Sequence, residues 1–367
     1  MKVAIMGAGL SGLACAIILE KNGIIPTIFE KRSRVGDRFV NGEIFLSILN
    51  KPVNDAIAHI GDTYGIYLQP TSYIHNLVLY SEHQKAEIHG QLGFCNLRGR
   101  DEKSFENQLA CQVKSKIIYN SEYTYERLVQ DFTHVVVATG DGDYAAQMEN
   151  YRLDYSSTLN GYNVSGDFNR YTIRVWMDNQ IIPNGYGYLV PISEKEANIV
   201  IWYPKHPGRP NLDYQQSLAK LFHTVSIELQ QSLTILDHFE INDYQIGICH
   251  YPRIGNSYFT GNCFGSITPY LGFGQFIAIL TGIYTALDIC GTHRYFNLTK
   301  PLRRNYENSL VLRQAWEGFT NRQFDRMVKF FSGSLGNMLF NSGHFDVVKL
   351  AGFLARPWVR KRKTLDE

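Results

Sequence analysis

Three glycines in G-x-G-x-x-G spacing, Gly7, Gly9 and Gly12, constrain this chain more than any other feature. They follow residues 3–6, VAIM, an apolar run of the kind that forms a buried parallel strand. After them, residues 13–19 are apolar enough to pack a helix under a sheet, and a second strand over 27–29 ends on Glu30. Gly7 permits the tight strand-to-helix turn, Gly9 leaves bare backbone for a pyrophosphate, and Gly12 lets helix and strand pack closely. The unpaired N–H groups of the helix start are ready anion ligands. The spacing therefore predicts a dinucleotide site built from Gly7, Ala8, Gly9, Leu10, Ser11 and Gly12. Glu30, 18 positions beyond Gly12, is expected to accept hydrogen bonds from a ribose. Its charge would repel a 2′-phosphate, which favours FAD or NAD over NADP.

At 367 residues the chain exceeds the usual size of one hydrophobic core, so one large or two interlocked domains are expected. A net charge of +2 argues against a nucleic-acid binder, which would carry a concentrated basic patch. Cys15, Cys95, Cys111, Cys249, Cys263 and Cys290 are scattered without a C-x-x-C pair. That excludes the usual zinc spacing and the dithiol of disulfide reductases, and no metal site is expected. No apolar run reaches the 18 or so residues of a membrane span. The first strand begins too early for a cleavable signal, so a reduced, cytoplasmic setting is the expectation.

Beyond Glu30 the chain reads Glu30-Lys31-Arg32, then Gly36, then Asn41-Gly42-Glu43. This frame resembles that of flavoproteins related to geranylgeranyl reductases, which carry E-K-R-x-x-x-G-x-x-x-x-C-G-E after the ribose-binding acid. Asn41 stands where that family has cysteine. The resemblance implies that Lys31, Arg32, Asn41 and Gly42 adjoin the cofactor. It also implies an arginine near the FAD pyrophosphate just before a helix within residues 97–114. Arg98 and Arg100 are the local candidates, and Arg100 fits the frame better. Ala138-Thr139-Gly140 ends a further buried strand and matches the A-T-G that closes the first half of such FAD domains. Asp141-Gly142 echoes, one position shifted, the D-G of aromatic-ring hydroxylases.

Residues 184–191, NGYGYLVP, are similar to the family's G-Y-x-W-x-F-P-K stretch over the flavin, with Tyr188 for tryptophan, Val190 for phenylalanine and Ile192 for lysine. Tyr186 and Tyr188 are thereby the pocket candidates. A second signature follows: Gly261, Asn262, Gly265, Pro269, Gly272 and Gly274 keep every glycine and the proline of a G-D-A-A-G … P-x-x-G-x-G pattern. The pattern resembles that of related FAD proteins, and the resemblance implies that Asn262 replaces a ribityl-binding aspartate and that the helix from Gln275 presents its positive end to the flavin. No second G-x-G-x-x-G appears, so a separate nicotinamide domain is not expected.

The remaining segments are read from periodicity. Residues 43–49 suggest a helix, 60–88 short strands, 171–203 antiparallel strands, and 210–239 a helix. Residues 300–367 look helical throughout. The expected fold class is α/β, a Rossmann-like FAD-binding domain interlocked with a mixed antiparallel sheet. The FAD domain is expected over 1–70, 95–155 and 250–295. The substrate domain spans 71–94 and 156–249, and a helical C-terminal region covers 296–367. The last helix combines Leu350, Phe353, Leu354 and Trp358 with Arg356, Arg360, Lys361, Arg362 and Lys363, a composition suited to an anionic membrane surface.

By its resemblance the chain would be an FAD-dependent oxidoreductase that reduces carbon–carbon double bonds of a hydrophobic small molecule. Its external electron donor would be NAD(P)H or a ferredoxin-like protein. A flavin monooxygenase and a catalytically silent flavoprotein are the alternatives. His75, His83, His89 and His250 are isolated, and no catalytic acid or base emerges from the sequence.

Overall fold

The computed structural model describes residues 1–205, 213–343 and 346–366, with backbone alone at 335 and 360–366. In chain order the first elements are β1 (Val3–Met6), α1 (Leu10–Lys21), β2 (Thr27–Phe29), β3 (Asn41–Leu46), α2 (Ala56–Tyr64), β4 (Ser72–Tyr80) and β5 (Lys85–Arg98). Then come α3 (Phe105–Ala110), β6 (Ile117–Ile118), α4 (Tyr125–Asp131), β7 (His134–Val137), α5 (Asp143–Gln147), β8 (Tyr151–Ser165) and β9 (Thr172–Trp176). The next group is β10 (Tyr186–Pro191), β11 (Glu196–Lys205), α6 (Tyr214–Leu229), β12 (Thr234–Cys249), β13 (Arg253–Ile254) and β14 (Ser257–Phe259). The chain ends in helices α7 (Gln275–Ile289), α8 (Tyr295–Trp316), α9 (Asn321–Phe331), α10 (Ser334–Asn341) and α11 (Val347–Asp366).

Two sheets organise these elements. A six-stranded sheet runs β13-β14-β7-β1-β2-β6, parallel except for the β13–β14 hairpin. Every residue of β1 is buried, as a central strand covered on both faces requires. Helix α1 is buried from Leu10 to Leu19 because α7 crosses it closely. A Cβ on Gly282 would lie 2.0 Å from the Ser11 carbonyl oxygen, so only glycine allows that approach. The fold is thus α/β with a Rossmann-like sheet, a second mixed sheet and C-terminal helices.

The second sheet has eight strands in the order β12-β8-β11-β10-β9-β4-β5-β3, antiparallel apart from the β4–β9 pair. It curls on itself. The Gly42 amide of edge strand β3 donates to the Asn198 side chain on β11, several strands away in the sheet order. One face packs under α6 through Leu218, Leu221 and Val225. The other carries Tyr155, Tyr186, Val190 and Trp202 and faces the segment that leads into α7.

Three expectations are corrected. Residues 41–46 form a strand, followed by a 3-10 turn at Ser47–Leu49. Pairing of Asn41–Leu46 with β5 satisfies their backbone and buries Ile44, Phe45 and Leu46, which helical spacing could not do together. The helix read over 210–239 ends at Leu229, where Gln230 takes a left-handed conformation, and 234–239 opens β12 against β8. Residues 206–212, the start of that reading, lie outside the described residues. Helix α2 occupies 56–64, and the strands read from residue 60 begin at Ser72. Among the described residues the C-terminal region is four helices, with breaks after Trp316, Phe331 and Asn341.

Candidate functional site

The first glycine motif sits at the C-terminal end of β1, where open parallel sheets bind ligands. Gly7 has φ +109°, and a Cβ there would lie 2.3 Å from the Ala138 carbonyl oxygen. A Cβ on Gly12 would lie 2.1 Å from the Gly7 oxygen. Gly9 differs from both, because a Cβ there meets nothing within 4 Å. Gly9 is also the N-cap of α1, extended at φ −88° and without a side-chain cap. The first-turn N–H groups of α1, from Leu10, Ser11 and Gly12, are therefore left for an anion.

Glu30 closes the motif. Its Oε2 accepts from the Ala8 amide at 2.8 Å, and its Oε1 from the Arg32 amide at 2.9 Å. Each oxygen keeps a lone pair for a hydroxyl donor. Lys31 is exposed, and the Arg32 guanidinium donates to the Asp37 carbonyl. Arg98 and Arg100 part company. Arg100 is half exposed and pairs with Asp37 at 3.0 Å, while Arg98 is largely buried between Glu106 and Glu43.

The second motif converges on the first. Gly261 has φ +59°, and its Cβ position is 2.6 Å from Ser11 Oγ on α1. Asn262 Nδ2 donates to the Gly140 carbonyl at 2.8 Å, while its Oδ1 accepts from Ser266 Oγ at 2.8 Å. An ionised aspartate could not donate to that carbonyl, which gives Asn262 a local physical reason. Gly140, at φ +88°, has open space on its Cβ side, as Gly9 does. Ala138 is buried beside β1, and Thr139 bonds Asp141 and Cys263.

Gly274 caps α7 without a side-chain bond, and the first turn of α7 carries no acid. The start of α7 faces β3 across a small cleft, about 30 Å³, whose walls include Ile44, Leu49, Phe273 and Gln275. The larger depression, about 530 Å³ and lined by Asp167, Arg170, Tyr171 and Lys195, holds none of the glycine motifs. The small cleft borders the second motif at Gly274.

Tyrosines form the wall beside that cleft. Tyr186 donates from its hydroxyl to the Leu271 carbonyl at 2.5 Å, and Tyr155 donates to the Pro269 carbonyl. The Trp202 ring lies tilted 5.2 Å from the Tyr186 ring, and its indole N–H donates to the Tyr244 hydroxyl. Gly272 lies against Trp202 and Tyr244, so residues 268–273 are clamped onto the aromatic wall. From the other side Ser309 accepts the Tyr270 amide, and buried Arg313 lies 5.1 Å over the Trp202 ring. Burial drives the Tyr186 and Tyr188 phenols well above their ordinary range, with neighbouring phenols or Glu43 adding to it. Both therefore stay protonated and can donate.

Next to Tyr188 lies a cluster that sequence reading did not assemble. Arg38 donates to Asn41 and, at 3.3 Å, to Glu43 Oε1, and Asn41 donates to the same oxygen at 3.2 Å. Arg98 reaches Glu43 Oε2 at 3.2 Å and Glu106 at 2.7 Å. Burial pushes the Glu43 carboxyl up, but Arg98 and Arg38 outweigh it and hold it below the usual carboxylate range. Asn41, at the position of the family's cysteine, is thus bound into an ion network and 3% exposed. Tyr155, Trp202, Tyr244 and Arg313 were also missed, since nothing local separates them from core aromatics. The one available signal was Arg38 just upstream of Asn41-Gly42-Glu43, whereas Arg98 lies 55 positions beyond Glu43.

Glycine clearance, two uncapped helix starts and a carboxylate at the end of β2 together suit a dinucleotide. Residues 5–44 match the model of an NAD(P)-binding Rossmann-like domain. Among solved structures, a geranylgeranyl bacteriochlorophyll reductase-like protein of Thermoplasma acidophilum is 14% identical, with a TM-score of 0.70 over 98% of each chain. The flavin-dependent brominase Bmp2 is 11% identical, with a TM-score of 0.67 over 99% of this chain and 100% of its own. The halogenase PltM is 10% identical, with a TM-score of 0.67 over 100% of this chain and 84% of its own. The chain thus has the fold that these reductase-like and halogenating flavoproteins share, opened by a Rossmann-like dinucleotide-binding segment.

Proposed function

We propose that the chain is an FAD-dependent oxidoreductase that reduces carbon–carbon double bonds of an apolar, isoprenoid-like small molecule. FAD, when bound and reduced, supplies the hydride. In this reading Gly7–Gly12 and Glu30 hold the adenosine and pyrophosphate, with Lys31, Arg32 and Arg100 at the rim. Ala138, Thr139, Gly140, Gly261 and Asn262 line the middle of the cofactor. Asn41, Gly42, Gly272 and Gly274 adjoin its ring system. The six-stranded sheet would form the cofactor domain and the eight-stranded sheet the substrate domain.

The observation that carries the reading is the aromatic wall next to the uncapped start of α7. An apolar chain laid beside Tyr188, which stays partly exposed next to the buried Tyr186, replaces water at the reacting carbons. In this reading a wall phenol supplies the proton that the second carbon takes up. Burial keeps the Tyr188 hydroxyl protonated.

The test is anaerobic photoreduction of FAD-loaded protein, followed by screening of oxidants. The expected result is reoxidation by a prenyl-chain alkene, whose recovered product has gained the mass of two hydrogens. Substrate-dependent oxygen consumption in step with NAD(P)H would instead identify a hydroxylase. Colourless protein that takes up no added FAD would overturn the cofactor assignment.

The same substrate class suggests where the protein works. No helix among the described residues is long and apolar enough to cross a membrane. Helix α11 nevertheless exposes Phe353 and Leu354 by about two-thirds, with Leu350 and Trp358 near two-fifths. The chain beyond Arg356 adds Arg360, Lys361, Arg362 and Lys363, whose side chains lie outside the described residues. An anionic lipid surface complements that face. Co-sedimentation with anionic vesicles is expected, at least about tenfold stronger than with neutral ones. Phe353→Asp with Leu354→Asp should abolish it, and equal binding to both vesicle types would dismiss the idea.

A further inference from the structure

Four charged side chains meet behind the cleft: Arg38, Glu43, Arg98 and Glu106. Their side chains are only 24%, 25%, 15% and 4% exposed. They come from the loop before β3, from β3, from β5 and from α3. Two arginines and two glutamates leave the group neutral, and charges this far from water are felt at longer range than surface charges. One member touches a residue that lines the cleft. Glu43 Oε2 accepts from Gln275 Nε2 at 2.5 Å, and Gln275 both opens α7 and lines the cleft. Asn96 Nδ2 donates to Gln275 Oε1 at 2.8 Å, so the amide is held at both ends.

We infer that Glu43 is a positioning residue that sets the electron affinity of the flavin, by fixing Gln275 at the α7 start and by contributing a buried negative charge. This role rests on the flavin seat proposed above. The start of α7 favours the negative charge that a flavin gains on reduction. A carboxylate tied to that helix start opposes it, and the two arginines offset the carboxylate. The balance among these groups is then what fixes the potential. Asn41 belongs to the same device, because it donates to Glu43 and accepts from Arg38.

The experiment measures the midpoint potential of bound FAD by spectral titration in the native chain and two near-isosteric variants. Glu43→Gln removes one negative charge and keeps a side chain of the same shape. The ratio of affinities for reduced over oxidised flavin should rise about tenfold, a shift of about +30 mV for a two-electron couple. Asn41→Asp adds a negative charge opposite Arg38, and the potential should move the other way by a similar amount. A merely structural role gives no reason for opposite signs. Shifts of the same sign, or no shift in either variant with FAD fully bound, would overturn the role of Glu43. If Glu43→Gln fails to fold, the sign of the Asn41→Asp shift alone decides. Failure of the native chain to bind FAD would count against the proposed function, and thereby against this role, but the two failures are told apart by the colour of the native protein.

Discussion

Gly9→Asp leaves the apoprotein as stable as the native chain and abolishes flavin uptake. Gly9 has extended backbone at the N-cap of α1, and a Cβ there meets nothing within 4 Å. Aspartate is among the preferred N-cap residues and exceeds glycine by only a few tenths of a kcal/mol. Its carboxylate would accept from the same first-turn N–H groups that a pyrophosphate needs, and would repel the phosphates as well. Like-charge contact of this kind costs several kcal/mol, so FAD affinity should fall by at least about 100-fold, roughly 2.7 kcal/mol. Urea denaturation of the apoprotein and fluorescence titration with FAD read the two effects separately. Unchanged affinity would remove the cofactor from this site. A misfolded variant would contradict the open space at Gly9.

Gly7→Ala has the opposite signature. Here the penalty falls on the fold, because φ is +109° and the new Cβ would lie 2.3 Å from the Ala138 carbonyl oxygen. Both β1 and β7 are buried at that point, so neither strand can give way without opening the sheet. Backbone strain of ~1–3 kcal/mol and overpacking of a similar size add to about 4 kcal/mol. That is a large share of the roughly 5–15 kcal/mol that holds a typical domain together. Gly23→Ala is the matched control. Gly23 also has positive φ, +76°, but a Cβ there meets nothing within 4 Å, so strain acts alone at about 1–2 kcal/mol. Denaturant midpoints that fall equally for both variants would show that the close approach of β1 and β7 carries no cost.

The elements closest to the cofactor motifs were also the most legible. Residues 3–6 and 27–29 form strands with the bounds that their apolar runs set, and α7 starts at Gln275 as the second motif implies. Each is a short, one-period apolar run set off by glycine or polar residues, so local pattern and final environment agree. Residues 43–49 misled because I-F-L-S-I-L can be spaced for either a helix or a fully buried strand. Residues 234–239 misled because they continue the apolar periodicity of α6 past the left-handed Gln230.

The site residues divide in the same way. Gly7, Gly12, Gly261 and Gly274 could be named because backbone geometry restricts those positions to glycine, and Gly9 and Glu30 because the motif spacing marks them. Trp202, Tyr244 and Arg313 could not, since an aromatic or arginine in a strand or helix carries no local mark of what it will meet. Between Arg98 and Arg100 the motif frame pointed to the second. Burial places Arg98 inside the ion network and leaves Arg100 half exposed against Asp37.

The sequence by itself determined the Rossmann-like opening, the two glycine-rich turns and the presence of a second layer of strands. These follow from spacing over a few residues, where sterics and hydrogen bonding leave few choices. Only the tertiary structure decided what those pieces enclose. The Gly42 amide meets Asn198 across 156 positions, and Glu43 meets Gln275 across 232. Both contacts depend on how far the eight-stranded sheet curls and where α7 crosses α1. Curl and crossing are set by the summed packing of many distant side chains, which no local period records.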